Sequence, residues 1–288
     1  MTFHLFIGVD FSGARGPALP GLQVATCRPG VAAPRLVENP SGGHWTRTAF
    51  AGWLARRLQA DAPLLCGLDF AFALPYDRGY LPRSGLRTST ARGLWRLVDE
   101  TCGAADGLYA GAFSTRFADW FLAPGRWGCH YVRRMRRTDS HCRDAGLGHP
   151  ETPFKLVGPS QVGKAALAGM RLLHSMILAN PNVAVWPFDR ARRGVSRLVE
   201  IYPHAFAARA GCAGKVRDPA ALNSVLKHYG SHPFAADALG GPANLTDKTD
   251  ALFSSAALRA FGSGAAMWRP RSLSTEARLR EGWIFGVA

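Results

Sequence analysis

Acidic residues are scarce in this chain: 20 Asp and Glu stand against 35 Lys and Arg, giving a formal net charge of +15 and a sequence pI near 10.3. Long apolar runs are missing too. No stretch approaches the ~18 consecutive apolar residues of a membrane span. The apolar segment Leu5-Phe6-Ile7-Gly8-Val9 is too short for a signal peptide and runs directly into Asp10. Six cysteines (27, 66, 102, 129, 142 and 212) are scattered without a Cys-x-x-Cys pair, which indicates no disulfide framework. There are no internal repeats and no low-complexity tract. These absences point to a cytoplasmic, reduced protein without membrane association.

What remains is an ordinary core-forming composition. The chain has 288 residues, 47% of them hydrophobic, and a mean hydropathy of −0.04. That length suits one large domain or two small ones. The excess of cations favours a polyanionic partner, because basic surfaces attract phosphate backbones through charge and counterion release. The plain alternative is that an arginine-rich composition, and no partner, accounts for the charge.

Residues 5–10 and 22–27 read as strands joined by the turn Ser12-Gly13-Ala14-Arg15-Gly16-Pro17. A short strand is predicted at 34–37, a helix at 46–58 from the spacing of Phe50, Trp53, Leu54 and Leu58, and a strand at 64–70. The order fits a mixed α/β sheet whose first and fourth strands are neighbours. Between Leu74 and Val183 the periodicity weakens, and residues 75–182 read as an insertion or lid within a single domain spanning 1–288. Helices are nonetheless predicted at 92–102, 114–121 and 164–179. Strand patterns return at 183–188 and 198–202. Asp218-Pro219 is a helix start, with Asp as N-cap and Pro at the first position. Thr246 or Asp247 is expected to cap a helix over 248–261, and 281–287 reads as a last strand.

The few carboxylates sit at informative places. Asp10, Asp69 and Glu200 each end an apolar run, and Asp247 and Asp250 head Ala251-Leu252-Phe253. Singly, each reads as a turn former or helix cap. Asp247 and Asp250, three apart on a helix, share a side. As a set they are harder to explain away. On parallel neighbouring strands the strand-end acids converge on one crevice. Like charges at ~4 Å repel by roughly 4 kcal/mol at an effective dielectric of ~20, so such a cluster needs divalent cations or raised pKa values. A metal site is the leading expectation.

Other features carry weaker signals. Residues 126–137 form the densest basic patch, with Arg133, Arg134, Arg136 and Arg137 beside Trp127 and Tyr131. Such a patch suits phosphate and base contacts, or else a solvated lid whose arginines pair with acids, Arg137 with Asp139 among them. Lys164 is placed to meet a phosphate at a helix start, although a helix-entry turn explains it equally well. Cys129-His130 and His141-Cys142 form a quartet whose spacing matches no common zinc site. Asp189 and Glu281 are second-tier acids.

Several of these segments also carry a resemblance. They include Gly8-Val9-Asp10-Phe11-Ser12-Gly13-Ala14, Gly67-Leu68-Asp69-Phe70-Ala71-Phe72-Ala73-Leu74-Pro75, Arg137-Thr138-Asp139 and Gln161-Val162-Gly163. Val185-Trp186-Pro187-Phe188-Asp189, Val199-Glu200-Ile201-Tyr202-Pro203, Asp250-Ala251-Leu252 and the stretch from Glu281 to Val287 belong with them. Together they resemble the uncharacterised domain family labelled predicted ribonuclease-H-like nuclease, over nearly the whole chain. The resemblance implies a ribonuclease-H-like mixed sheet of order 3-2-1-4-5, flanked by helices, with the insertion after the fourth strand. It implies that Asp10, Asp69 and Asp250 bind two Mg²⁺ or Mn²⁺ ions, with Asp247 as a helper, and that Glu200 completes a catalytic set of Asp10, Asp69, Glu200 and Asp250. Oxygen-only ligands suit those hard cations.

The first functional expectation is therefore a divalent-metal-dependent phosphodiester hydrolase acting on nucleic acid by a two-metal route. The alternative is a non-catalytic nucleic-acid-binding or interaction protein with the same fold. An actin- or sugar-kinase-like ATPase is a distant third, because Asp69-Phe70-Ala71 lacks the glycine of the second phosphate turn.

Overall fold

Strand β1 (Leu5–Asp10) is the hinge of the architecture, because it pairs on its two edges with strands of opposite sense. The computed structural model describes residues 2–60, 62–158, 160–190 and 192–288. β1 runs antiparallel to β2 (Gln23–Cys27), which pairs antiparallel with the short edge strand β3 (Arg35–Leu36). Helix α1 (Arg47–Leu58) follows, its first turn closed by the Thr46 hydroxyl, which accepts from the Ala49 N–H at 2.9 Å. β4 (Leu64–Asp69) then lies parallel to β1. The sheet is completed by β8 (Arg197–Glu200), parallel to β4, and β7 (Ala184–Val185), parallel to β8. The result is a mixed six-stranded sheet of order β3-β2-β1-β4-β8-β7, one strand more than the order 3-2-1-4-5 implied by the resemblance.

Both faces of the parallel strands are covered, which explains why their sequences are apolar almost without interruption. One face packs on α1, α2 (Ala91–Cys102) and α5 (Gly163–Ala179) through Ile7, Val9, Cys66, Leu68 and Leu198. The opposite face packs on α6 (Pro203–Arg209), α7 (Pro219–His228) and α8 (Leu245–Phe261) through Phe6, Leu65 and Val199. Residues 75–182, read from sequence as an insertion, also hold α3 (Gly111–Arg116), the small hairpin β5 (Leu122–Ala123) and β6 (Arg126–Trp127), and α4 (Arg137–Asp144). Tyr80, Trp95, Phe113 and Met170 from this segment are buried in the same cluster as Ile7 and Val9. Among the described residues, no helix is long and apolar enough to cross a membrane.

Three local expectations are corrected. Helix α8 begins at Leu245, after Asn244 in a left-handed conformation (φ 53°), so neither Thr246 nor Asp247 is its cap. The stretch 183–188 contributes only the two residues of β7, since Asp189 turns back to accept from the Val185 N–H at 2.7 Å. The tail is not a strand: Ala277–Glu281 form one π-helical turn, followed by a single bridge from Ile284 to Glu200.

Candidate acidic site

Alternation along a strand decides which way each carboxylate leaves the sheet. Gly8 and Gly67 are register partners on β1 and β4, as are Asp10 and Asp69 two residues later. All four therefore share one face. It is the α8 face, because a Cβ on Gly8 would lie 2.3 Å from the Ala251 carbonyl oxygen and 2.6 Å from the Ser255 nitrogen. A Cβ on Gly67 would lie 2.8 Å from Leu258. The two glycines thus let α8 rest directly on the strands. That contact sets the first turns of α8, with Asp247 and Asp250, toward the Asp10–Asp69 end of the sheet.

The electrostatics follow from this convergence. Burial, then the charges of Asp69, Asp250 and Asp247, hold the Asp10 carboxyl well above the usual carboxylate range. Burial and the charges of Asp250, Glu200 and Asp247 do the same to Asp69. Asp250 is pushed up to about 7 by burial and by Asp247. Asp247 is also raised, by burial. The countervailing cation is Lys215, which lowers Asp10, Asp247 and Asp250. Lys215 was not foreseen: it lies in an irregular glycine-containing loop, where no periodic pattern flags a residue. The four aspartates share a neighbourhood, yet among the described residues no three His, Cys, Asp or Glu side chains stand as a ready cation cage.

Glu200 is held differently, although its charge reaches Asp69 and the two line one pocket of about 220 Å³ with Arg136 and Asp139. Its register partner is Leu68, so it leaves the sheet on the face opposite to Asp69. There it is buried and committed. Arg136 Nη1 donates to Oε2 at 2.7 Å and Nη2 to Oε1 at 2.5 Å, and the Phe72 N–H donates to Oε2 at 2.9 Å. The same guanidinium grips Asp139 (2.7 and 3.0 Å) and reaches the Glu281 carbonyl oxygen at 3.3 Å. Arg136 is therefore removed from the expected nucleic-acid surface, being 2% exposed. It, and not Arg137, is the partner of Asp139. Glu281 is buried and accepts from the Tyr76 and Arg137 N–H groups at 2.8 and 2.9 Å.

The remaining basic candidates scatter. Arg133 is exposed and paired with Glu151, Arg137 pairs with Glu276 and Glu281, and Arg134 is half-buried. Lys164 sits in the first turn of α5, against the loop that follows Asp10. A Cβ on Gly13 would lie 2.2 Å from the Ala165 nitrogen, so the contact requires glycine there. Asp189 pairs with Arg92 at 2.7 Å. The suggested zinc quartet divides: the Cys142 thiol is buried and faces the Leu147 carbonyl, while Cys129 is exposed.

Comparison with protein-family models, with curated proteins and with solved structures finds no match to this chain.

Proposed function

We propose that this protein is a divalent-metal-dependent phosphodiester hydrolase acting on nucleic acid, built on a ribonuclease-H-like sheet. One observation carries the reading: Asp10 and Asp69 leave adjacent parallel strands in register on the same face, and α8 is seated against that face with Asp247 and Asp250 in its first two turns. Half-buried acids that raise one another's proton affinity, with one lysine to offset them, are an unbalanced arrangement. Such perturbation is typical of functional sites.

The donor set fits a hard divalent cation, since it is made of carboxylate oxygens without His or Cys. Asp10, Asp69 and Asp250 would hold it, with Asp247 at the margin, and side-chain rotation is needed to gather three oxygens on one ion. When bound, the cation supplies charge stabilisation for the phosphoryl group and activation of water. The chain's own part is positional. The strands fix Asp10 and Asp69, and the helix sets the height of Asp250 above them.

The test is Mn²⁺-dependent cleavage of nucleic acid by the Asp10→Asn variant, with circular dichroism as the check on folding. Activity is expected to disappear while the fold persists, and unchanged activity overturns the assignment. The second reading, a non-catalytic nucleic-acid-binding protein, rests on the net charge of +15, which needs no metal to draw a polyanion. Calorimetry separates the two: Mn²⁺ binding that Asp10→Ala removes supports the hydrolase, and no Mn²⁺ heat at all supports the binding protein.

A further inference from the structure

The arginines that sequence reasoning assigned to nucleic acid are largely engaged by acids. Arg133 has Glu151, Arg136 has Glu200 and Asp139, and Arg137 has Glu276 and Glu281. The loop between α6 and α7 is different. Lys215 and Arg217 are both exposed, and among the described residues neither has a carboxylate within salt-bridge distance. Together they line an open cleft of about 400 Å³, whose other wall is Asn244, Thr246 and Asp247 at the start of α8. The acidic cluster adjoins this cleft through Asp247.

The same loop has a second basic side. Gly211, Cys212 and Gly214 line a cleft of about 470 Å³ with Arg143, His149 and His204. His204 belongs to the first turn of α6, and Gly148 is packed against it so closely that a Cβ there would lie 2.4 Å from the imidazole. The charge of Lys215 reaches in both directions, lowering the proton affinity of His204 as well as that of Asp10, Asp247 and Asp250. Lys215 is thus the cation between the two clefts.

A polyanion approaching four mutually repelling aspartates needs positive charge along its route. A path that runs from Lys215 and Arg217, neither with an acid partner, past Arg143 and the hydrogen-bonding imidazoles of His149 and His204 matches a ligand with negative charges repeated along its length. We infer that the cleft between the α6–α7 loop and the start of α8 is a phosphodiester-backbone subsite for a polynucleotide, held by Lys215 and Arg217, with the Arg143–His149–His204 cleft continuing the track. The inference rests on the proposed function for the identity of its ligand, but its test requires no turnover.

The test measures binding of a fluorescently labelled single-stranded oligonucleotide to the full chain in chelator, as a function of salt. The double substitution Lys215→Ala/Arg217→Ala is expected to weaken binding about tenfold near 0.1 M salt and to reduce the log–log salt slope by about 1.4, about 0.7 for each phosphate no longer neutralised on a single strand. Arg133→Ala/Arg137→Ala is expected to stay within about twofold of the wild type, because those side chains are neutralised in place. Should the double variant fail its circular dichroism check, Lys215→Gln alone decides, with an expected slope change of about 0.7. Wild-type affinity and slope in a folded Lys215/Arg217 variant overturn the subsite, as does a wild-type protein that binds no oligonucleotide. The two proposals fail separately. Binding that depends on Lys215 and Arg217 in a protein that never cleaves removes the hydrolase and keeps the track, while cleavage indifferent to both cations does the reverse.

Discussion

Two groups of carboxylates lie at the same end of the parallel strands, on opposite faces of β4, and they are treated in opposite ways. On one face Glu200, Asp139 and Glu281 are buried with hydrogen-bond donors: Arg136 takes the first two, and backbone N–H groups take the third and share in holding Glu200. On the other face Asp10, Asp69, Asp247 and Asp250 mainly have one another, and Lys215 as a nearby cation. Buried charge that finds its partner inside the chain ties segments together. Buried charge that does not must keep its proton or wait for a cation from outside. The first group therefore ties segments together and the second is left to the proposed site, although Glu200 is itself raised by burial and shares a pocket of about 220 Å³ with Asp69.

The largest effect is expected from breaking the neutralised side. Arg136 joins the end of β8, the start of α4 and the π-helical turn through Glu200, Asp139 and the Glu281 carbonyl. Arg136→Met should destabilise the fold by about 3–5 kcal/mol, because two buried carboxylates lose their counterion. Denaturant unfolding measures this. The variant should regain stability as the pH falls, since protonating Glu200, which burial already raises, removes uncompensated charge. A loss below about 1 kcal/mol, or one independent of pH, would show that the network is not what fixes these segments.

The acidic side is tested next, by moving its helix. Gly8 meets backbone on α8, so an added Cβ displaces the helix itself instead of a side chain that can turn away. Gly8→Ala should destabilise by about 1–3 kcal/mol, as overpacking does. It should also weaken Mn²⁺ binding in calorimetry, because Asp250 is lifted from Asp10. Gly67→Ala meets the ends of Ile201 and Leu258 side chains and should be milder. Equal Mn²⁺ affinity in Gly8→Ala would mean that the spacing of α8 from β1 does not set the site.

How much of this was legible in the sequence follows from the same geometry. Asp10 and Asp69 sit at the ends of apolar runs, and that local pattern was enough to single them out. The strands at 5–10 and 64–69, the helix at 163–179 and the Asp218 cap were legible for the same reason: short-range periodicity and cap chemistry specify them. The surroundings of Glu200 were not legible because its side depends on register. β8 pairs one residue out of step with the Asp69 position, and a one-residue offset turns a side chain to the other face. Nothing within residues 197–200 records that offset. The start of α8 was missed because Asn244 enters it in a left-handed conformation without a side-chain cap bond. Lys215 and Arg217 were missed because loop cations acquire meaning only from what the fold sets opposite them.

The smallest effect is the most diagnostic of the comparison. In chelator, Asp250 keeps its proton up to about pH 7 in the folded chain, whereas the unfolded chain releases it in the ordinary aspartate range. Between those limits the native state binds more protons, so stability must fall as pH rises, by at most about 1.4 kcal/mol per pH unit for this one group. Asp10 and Asp69, raised in the same direction, add to the slope with the same sign. Asp250→Asn should therefore match the wild type near pH 4, exceed it in stability at pH 8, and show a shallower fall between. Mn²⁺ should reduce the wild-type slope, since a bound cation displaces the proton that the native state otherwise retains. Parallel pH profiles for the two proteins, with and without Mn²⁺, would place Asp250 among the satisfied carboxylates and erase the distinction between the two faces of β4.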